Sequence, residues 1–341
     1  MVNVLVDIEG RVSNIDLAVS RALLPVFEAV VNSFQAIQDL PSPNDCYIKI
    51  HVIRDEIHVD MDTEIKQLGR IIGFRIEDNG IGFTEENYNS FDTSDSTFKK
   101  TRGGKGVGRL LWLKAFEKVE IESYYSQGIK AMYRKFRFSI PDNGIGNCEI
   151  VEARYEGRKT IVSLNSFLKK YSDACPKKLD TIAIRVIEHC LLYFLDNNCP
   201  QVEIIDSDER LILNKIFREM FSSNANKVQI TLKGENFTLI HFRLYSSEEA
   251  SHRIHLCANE REVLSKKLTY YIPYLQKKIR DDAGRFFVYA GYVFGDYLNQ
   301  NVNQQRTGFN FAEDSDIEFS DHITLENLFS GCAKEIKDYL E

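Results

Sequence analysis

Three groups of residues in this sequence have the types and spacing for chemistry. Glu28 and Asn32 stand four apart, so on a helix a carboxylate and an amide lie on neighbouring turns, with Gln35 beside them. Asp78, Gly80 and Gly82 form an Asp-x-Gly-x-Gly run, a carboxylate followed by backbone free of side chains. The third group is Gly103-Gly104-Lys105-Gly106-Val107-Gly108. Seven of the 19 glycines fall between Gly73 and Gly108, and four of those lie in this last run. Glycine at that density brings backbone close to a ligand, commonly phosphate. Taken singly, each group also has an ordinary reading: a solvated helix face, a tight turn, a flexible hinge.

The elements that must position these residues follow from hydrophobic periodicity. Leu23, Phe27, Val30, Phe34 and Ile37 recur at three- and four-residue steps, which predicts a helix from Leu23 to Leu40 ended by Pro41 and Pro43. Tyr47–Arg54 and Ile71–Glu77 read as strands, the second running into Asp78. Residues 84–102 are polar and read as a long mobile loop, and Arg109–Phe116 as the start of a buried helix. Lys118–Tyr125, Ala131–Ile140 and Cys148–Leu164 have strand character. The order predicts an α+β, two-layer sandwich with a sheet covered on one face. A second unit is expected to begin near Asn165, with a helical stretch at Lys178–Asn197. Its strands are expected at Val228–Tyr245, His252–Ala258 and Phe286–Phe294, and a helix at Leu325–Leu340.

Glu28-x-x-x-Asn32, Asp78-x-Gly80-x-Gly82, the Gly103–Gly108 run and Gly157-x-x-Thr160, in this order, resemble the four-motif nucleotide site of the GHKL superfamily. That superfamily holds the gyrase ATPase subunit, the large heat-shock chaperone, histidine kinases and MutL, with MORC proteins as relatives. The resemblance covers residues 1–165 and implies the Bergerat fold, with ATP held under a lid at about residues 84–108. It implies that Asp78 accepts the exocyclic amine of adenine, and Thr160 reaches the same base. Gly80 and Gly82 let backbone approach the nucleotide, and Asn32 offers its amide oxygen to Mg²⁺. Gly103, Gly104, Lys105, Gly106, Val107 and Gly108 would serve the phosphates at a helix N-terminus, joined by Lys99, Lys100 or Arg102 from the lid. Glu28 implies the ATPase branch, as general base for water attack on the γ-phosphate. No P-loop pattern is present, because Lys105 is followed by Gly106.

The same resemblance implies a transducer-like α+β domain at residues 166–312, followed by an acidic helical segment at 313–341. Val302–Phe309 resembles the Gln-x-Lys loop of such domains, with Gln304 beside the nucleotide and Arg306 in place of Lys as a γ-phosphate contact. The expected function is Mg-dependent ATP binding and hydrolysis that closes the lid and drives an N-terminal homodimer, a conformational switch or clamp. An effector protein, or a further C-terminal region, is expected to use that cycle. Two other readings stay open: an ATP-sensing interaction module with little turnover, and a DNA-handling clamp in repair, chromatin or phage defence.

Composition bounds these readings. At 341 residues the chain suits about two domains, with 43% hydrophobic and 27% charged residues as in ordinary globular proteins. From Glu313 to Glu341 nine acidic residues face Lys334 and Lys337, which accounts for the whole net charge of −7. The body is therefore neutral, so charge gives nucleic-acid binding no overall support, although a local basic groove is compatible with it. No apolar run reaches the roughly 18 residues of a membrane span, and no signal-peptide pattern opens the chain. The seven scattered cysteines read as reduced thiols in a cytoplasmic protein.

Overall fold

The computed structural model describes residues 7–55, 68–93, 108–155, 157–220, 226–245, 251–303, 307–311 and 322–341. They form an α+β protein of two compact units, divided between Asn214 and Lys215.

The first unit contains helices α1 (Ile8–Ser13), α2 (Leu24–Gln38), α3 (Glu85–Asp92), α4 (Gly108–Ala115), α5 (Lys169–Ala174), α6 (Leu179–His189) and α7 (Leu191–Leu195). Its strands are β1 (Tyr47–Arg54), β2 (Ile71–Asp78), β3 (Phe116–Gln127), β4 (Lys130–Ser139), β5 (Gly144–Glu152), β6 (Lys159–Phe167), β7 (Gln201–Asp206) and β8 (Glu209–Ile212). They make one sheet in the order β5-β4-β3-β6-β2-β1-β7-β8, antiparallel except where β7 lies parallel to β1. Alternation decides its faces. Ile48, Ile50 and Val52 pair with Asp78, Ile76 and Phe74, and these in turn with Thr160, Val162 and Leu164, so apolar side chains line up on the helix-covered side. The other side carries charged ladders such as Arg75 to Glu77 at 3.0 Å and Lys135 to Glu122 at 3.0 Å. A two-layer sandwich follows.

Helix α2 is the centre of the helical layer. Pro25 presets its first turn, Asp39 N–H closes on the Gln35 carbonyl, and Pro41 follows. Val26, Ala29, Val30, Val31, Phe34 and Ile37 are all buried, more than one stripe requires. The reason is that α2 has neighbours on several sides: the sheet beneath, α4 on one flank, and Tyr193 of α7 stacked on Phe34 at 4.5 Å. A stacked pair of that kind adds about 0.5–1.5 kcal/mol beyond burial.

The sequence expectations and the structure differ at four places. Residues 84–102 were expected to form a loop, but Glu85–Asp92 is helix α3, capped by the Thr84 hydroxyl. The expected strand Cys148–Leu164 is two strands, β5 and β6. The expected boundary near 165 falls at 214/215 instead, because β7 and β8 complete the first sheet. Arg54 on β1 ties β7 in place through Asp206 at 2.7 Å, with both side chains nearly buried. The residues 325–340 of the acidic tail are not a separate segment but core of the second unit.

That second unit is entered by α8 (Leu213–Met220). It contains strands β9 (Asn226–Leu232), β10 (Glu235–Leu244), β11 (Arg253–Ala258), β12 (Arg261–Lys267), β13 (Ile279–Arg280) and β14 (Phe286–Phe294). With them stand α9 (Asp296–Asn301) and α10 (Leu325–Leu340). The sheet order is β12-β11-β14-β10-β9, with β13 pairing the start of β14. Leu328, Phe329, Cys332 and Ile336 recur at helical spacing on α10 and pack with Phe237, Leu239, Ile254 and Val293 of the sheet. The seven cysteines form no disulfide, and five of them are buried.

Candidate functional site

Strand register places four polar residues in one rank across the helix-covered side of the first sheet. Asp78 on β2 pairs with Thr160 on β6, Thr160 with Ser123 on β3, and Ser123 with Arg134 on β4. All four are buried. The next rank inward, Ile76, Val162, Ile121 and Phe136, is wholly apolar. Polar groups at such depth cost free energy unless they are hydrogen-bonded, and each of these is. Ser33 Oγ, from α2, donates to Asp78 Oδ2 at 2.7 Å, and the Gly80 amide donates to Asp78 Oδ1 at 2.9 Å. The Thr160 and Ser123 hydroxyls share a hydrogen bond of 2.9 Å, and Ser123 Oγ accepts the Phe83 amide at 2.9 Å.

The Asp-x-Gly-x-Gly turn is thereby held between helix and sheet. The Ile81 amide donates to the Ala36 carbonyl at 2.9 Å, tying the turn to α2. Gly82 has φ +78°, and a side chain there would meet Ser123 Oγ at 2.8 Å and Tyr125 Cβ at 2.9 Å. Only glycine fits both the conformation and the space.

Arg134 closes the rank. Its side chain is 1% exposed, stacks over Tyr88 at 4.1 Å, and bonds Glu85 Oε2 at 2.5 Å and the Thr84 carbonyl at 3.4 Å. It thus ties the start of α3 to the sheet. Burial pushes the hydroxyl of the neighbouring Tyr125 up, against the opposing pull of the Arg134 guanidinium.

A second cluster joins α2 to α4. Glu28 is buried, and a Cβ on Gly108 would overlap its carboxylate, so the last glycine of the run lies directly against Glu28. Trp112 Nε1 donates to the Pro25 carbonyl at 3.0 Å and fixes the two helices at that approach. Asn32, one turn beyond Glu28, is exposed. Helix α2 therefore carries Glu28 against Gly108, Asn32 open to solvent, Ser33 on Asp78 and Ala36 on the turn. From Glu28 to Ala36 that is roughly 12 Å of helix.

The structure thus brings Glu28 to Gly108, and Asp78 to Gly80, Gly82 and Thr160, with Asn32 on the same helix. Gly103, Gly104, Lys105, Gly106 and Val107 lie outside the described residues, as do the lid cations Lys99, Lys100 and Arg102. Gln304 and Arg306 do as well. Their flanks are described: the Asn303 and Thr307 side chains bond each other at 3.1 Å, and Val302 pairs with Phe309.

Three site residues escape a sequence reading: Ser33, Ser123 and Arg134. Ser123 and Arg134 each interrupt an inward apolar series, Val119-Ile121-Ser123-Tyr125 and Arg134-Phe136-Phe138, and that interruption is the available signal. Among the described residues no three His, Cys, Asp or Glu side chains converge on a metal position. Asn32 suits a hard cation that takes its other oxygens from a ligand and water, as Mg²⁺ does with nucleotide phosphates. In comparisons with known proteins, no family model matches this chain, and no curated protein matches it.

Proposed function

We propose that the first unit binds ATP between α2 and the polar rank of its sheet and hydrolyses it. The observation that carries this reading is the convergence of groups distant in sequence. Glu28 meets Gly108, and Asp78 meets Ser33, Gly80 and Thr160. In this reading the Asp78 carboxylate, held by two donors, accepts the 6-amino group of adenine, and the Thr160–Ser123 hydroxyl pair borders the base. The turn at Gly82 admits the nucleoside without a side chain in its path. The glycine run that ends at Gly108 serves the phosphates at the N-terminus of α4.

Glu28 then has its role from position. A carboxylate beside the phosphate-binding backbone can take a proton from attacking water, the general-base step of phosphoryl transfer to water. Asn32 would hold the Mg²⁺ that accompanies the nucleotide, and that ion would supply charge neutralisation on the triphosphate. Lid closure over residues 84–108, an ATP-dependent homodimer and an effector that reads the cycle belong to the same proposal. The pair between buried Arg134 and surface Glu85 would anchor the lid's first helix. No helix among the described residues is long and apolar enough to cross a membrane.

The test is steady-state phosphate release with Mg-ATP across a range of protein concentrations, with Glu28→Ala as control. A Glu28-dependent rate climbing more steeply than protein concentration supports a dimerising ATPase. Absence of release above the Glu28→Ala control, with ATP still bound, assigns an ATP-sensing module instead. Absence of ATP binding refutes both.

A further inference from the structure

The second unit carries a segment whose charge departs from the rest of the chain. From Lys266 to Phe286 there are six cations (266, 267, 277, 278, 280, 285) and two acids (281, 282), a balance of +4 in a chain whose net charge is −7. One acid and one of the cations engage each other, Asp281 and Arg285 at 2.9 Å, which leaves that balance unchanged. The same segment holds the most exposed tyrosines among the described residues, Tyr274 at 98% and Tyr270 at 76%, with Phe286 at 52%. Rings left in water to this extent contribute little to the core and ask for another partner.

The segment is nonetheless firmly held, which sets the orientation of those rings. Leu268 is buried, and Tyr271, Ile272, Leu275 and Ile279 pack against the core of β10, β11, β14 and α10. Tyr271 stacks on Phe329 at 5.8 Å, and its hydroxyl bonds Lys266 and Glu326 at 3.1 Å each. His252, buried, accepts the Tyr289 amide at Nδ1 (2.8 Å), which leaves Nε2 as the donor to the Gln276 carbonyl at 2.8 Å. With every third or fourth residue anchored inward, Tyr270, Tyr274 and Lys277 remain outward. At the hairpin of β13 and β14, Arg280 pairs with Phe286 and lies over its ring at 4.9 Å.

We infer that this surface binds single-stranded nucleic acid, with phosphates on Lys277, Lys278 and Arg280 and bases stacked on Tyr270, Tyr274 and Phe286. The pattern is cations interleaved with exposed flat rings, the combination that tracks an unpaired strand without reading its sequence. An acidic peptide would answer the cations but leave the rings unused. A duplex would present phosphates while keeping its base faces stacked away. The inference concerns the second unit alone and stands whether or not the first unit hydrolyses ATP.

The test is fluorescence anisotropy of the full chain with labelled 20-nucleotide oligo-dT and oligo-rU, over a series of KCl concentrations. Three variants accompany the wild type: Tyr270→Ser/Tyr274→Ser, Lys277→Gln/Lys278→Gln, and Lys130→Gln as a control in the first unit. Binding of either strand should fall with salt, with a log–log slope of about −2 for three phosphate contacts. The tyrosine variant should lose about 10-fold or more in affinity with the slope unchanged, and the lysine variant should flatten the slope. None of the five substituted residues is buried, and matching melting temperatures will establish that each variant folds. Absence of strand binding, equal affinity for the tyrosine variant, or equal competition by a poly-glutamate of matched length or by anionic phospholipid vesicles each overturns the inference.

Discussion

Replacing Asp78 separates what its carboxylate does for the fold from what we propose it does for a nucleotide. In the folded chain Asp78 accepts from the Ser33 hydroxyl at 2.7 Å and from the Gly80 amide at 2.9 Å, and it is 3% exposed. Asp78→Ala removes both acceptors and leaves a buried hydroxyl and a buried amide unsatisfied. At about 1–3 kcal/mol each, that costs about 2–6 kcal/mol. Asp78→Asn keeps the shape. Its Oδ1 can still accept from Gly80, and its amide can donate to Ser33 Oγ, because a hydroxyl rotates to accept as readily as to donate. The expected cost is about 1 kcal/mol, a fall of about 2–4 °C in a unit of this size.

In the proposed complex the nucleotide sees a larger change. The 6-amino group of adenine loses a charged acceptor, about 1.5–3 kcal/mol, and meets an amide donor in its place. Affinity for ATP should therefore fall about 10- to 150-fold. Guanine carries an oxygen at that position, so an amide donor at residue 78 should narrow the preference for ATP over GTP. Titration calorimetry with both nucleotides, beside a thermal melt of each protein, reads all of this. An Asp78→Asn protein that melts normally and still binds ATP within about threefold of wild type would refute the adenine contact, and with it the orientation of the ligand.

Two further outcomes follow from buried groups elsewhere. Arg134 is inside while Glu85 is at the surface, so Glu85→Ala strands a buried guanidinium, and Arg134→Met/Glu85→Ala should recover part of that loss. Urea unfolding should give a coupling of at least about 1 kcal/mol, and additive single effects would refute the anchoring of α3. In the second unit, His241 is 1% exposed and stacks on Tyr339 at 4.1 Å, and burial pushes its imidazole down to about 4. Below about pH 6.5 the unfolded chain takes up a proton that the folded chain refuses. Its stabilising contribution is thus complete above pH 6.5 and declines towards pH 4, by about 3 kcal/mol at most. Burial depresses His252 in the same direction. His241→Phe should flatten that decline in the melting temperature of the second unit, and an unchanged pH profile would refute the assignment.

The sequence announces what is local and conceals what depends on register. Helix α2 is legible because its apolar spacing and the prolines at 41 and 43 that end it are all within one window. The turn after β2 is legible for the same reason. Helix α3 is not, because its sequence is polar and it is held by distant partners: Phe91 lies edge-on to Phe136 at 5.4 Å, and Tyr88 to the same ring at 5.4 Å. The parallel placement of β7 beside β1 is likewise invisible locally, since Arg54 and Asp206 are 152 residues apart.

The polar rank itself shows why a site is harder to read than a fold. An inward strand position in an α+β sandwich should be apolar, and Ile76, Val162, Ile121 and Phe136 obey that rule. One rank further, four strands break it together, and each break looks like an isolated lapse until pairing sets Asp78, Thr160, Ser123 and Arg134 side by side. The burial of four polar side chains costs stability that an apolar rank would not, and hydrogen bonds donated by Ser33, Gly80 and Phe83 and accepted by Glu85 only offset that cost. A fold has no need of such a rank for its own stability. Its placement in one register, beside a turn that tolerates only glycine at 82, is the ground on which we propose a ligand site, rather than a piece of core, at this end of the sheet.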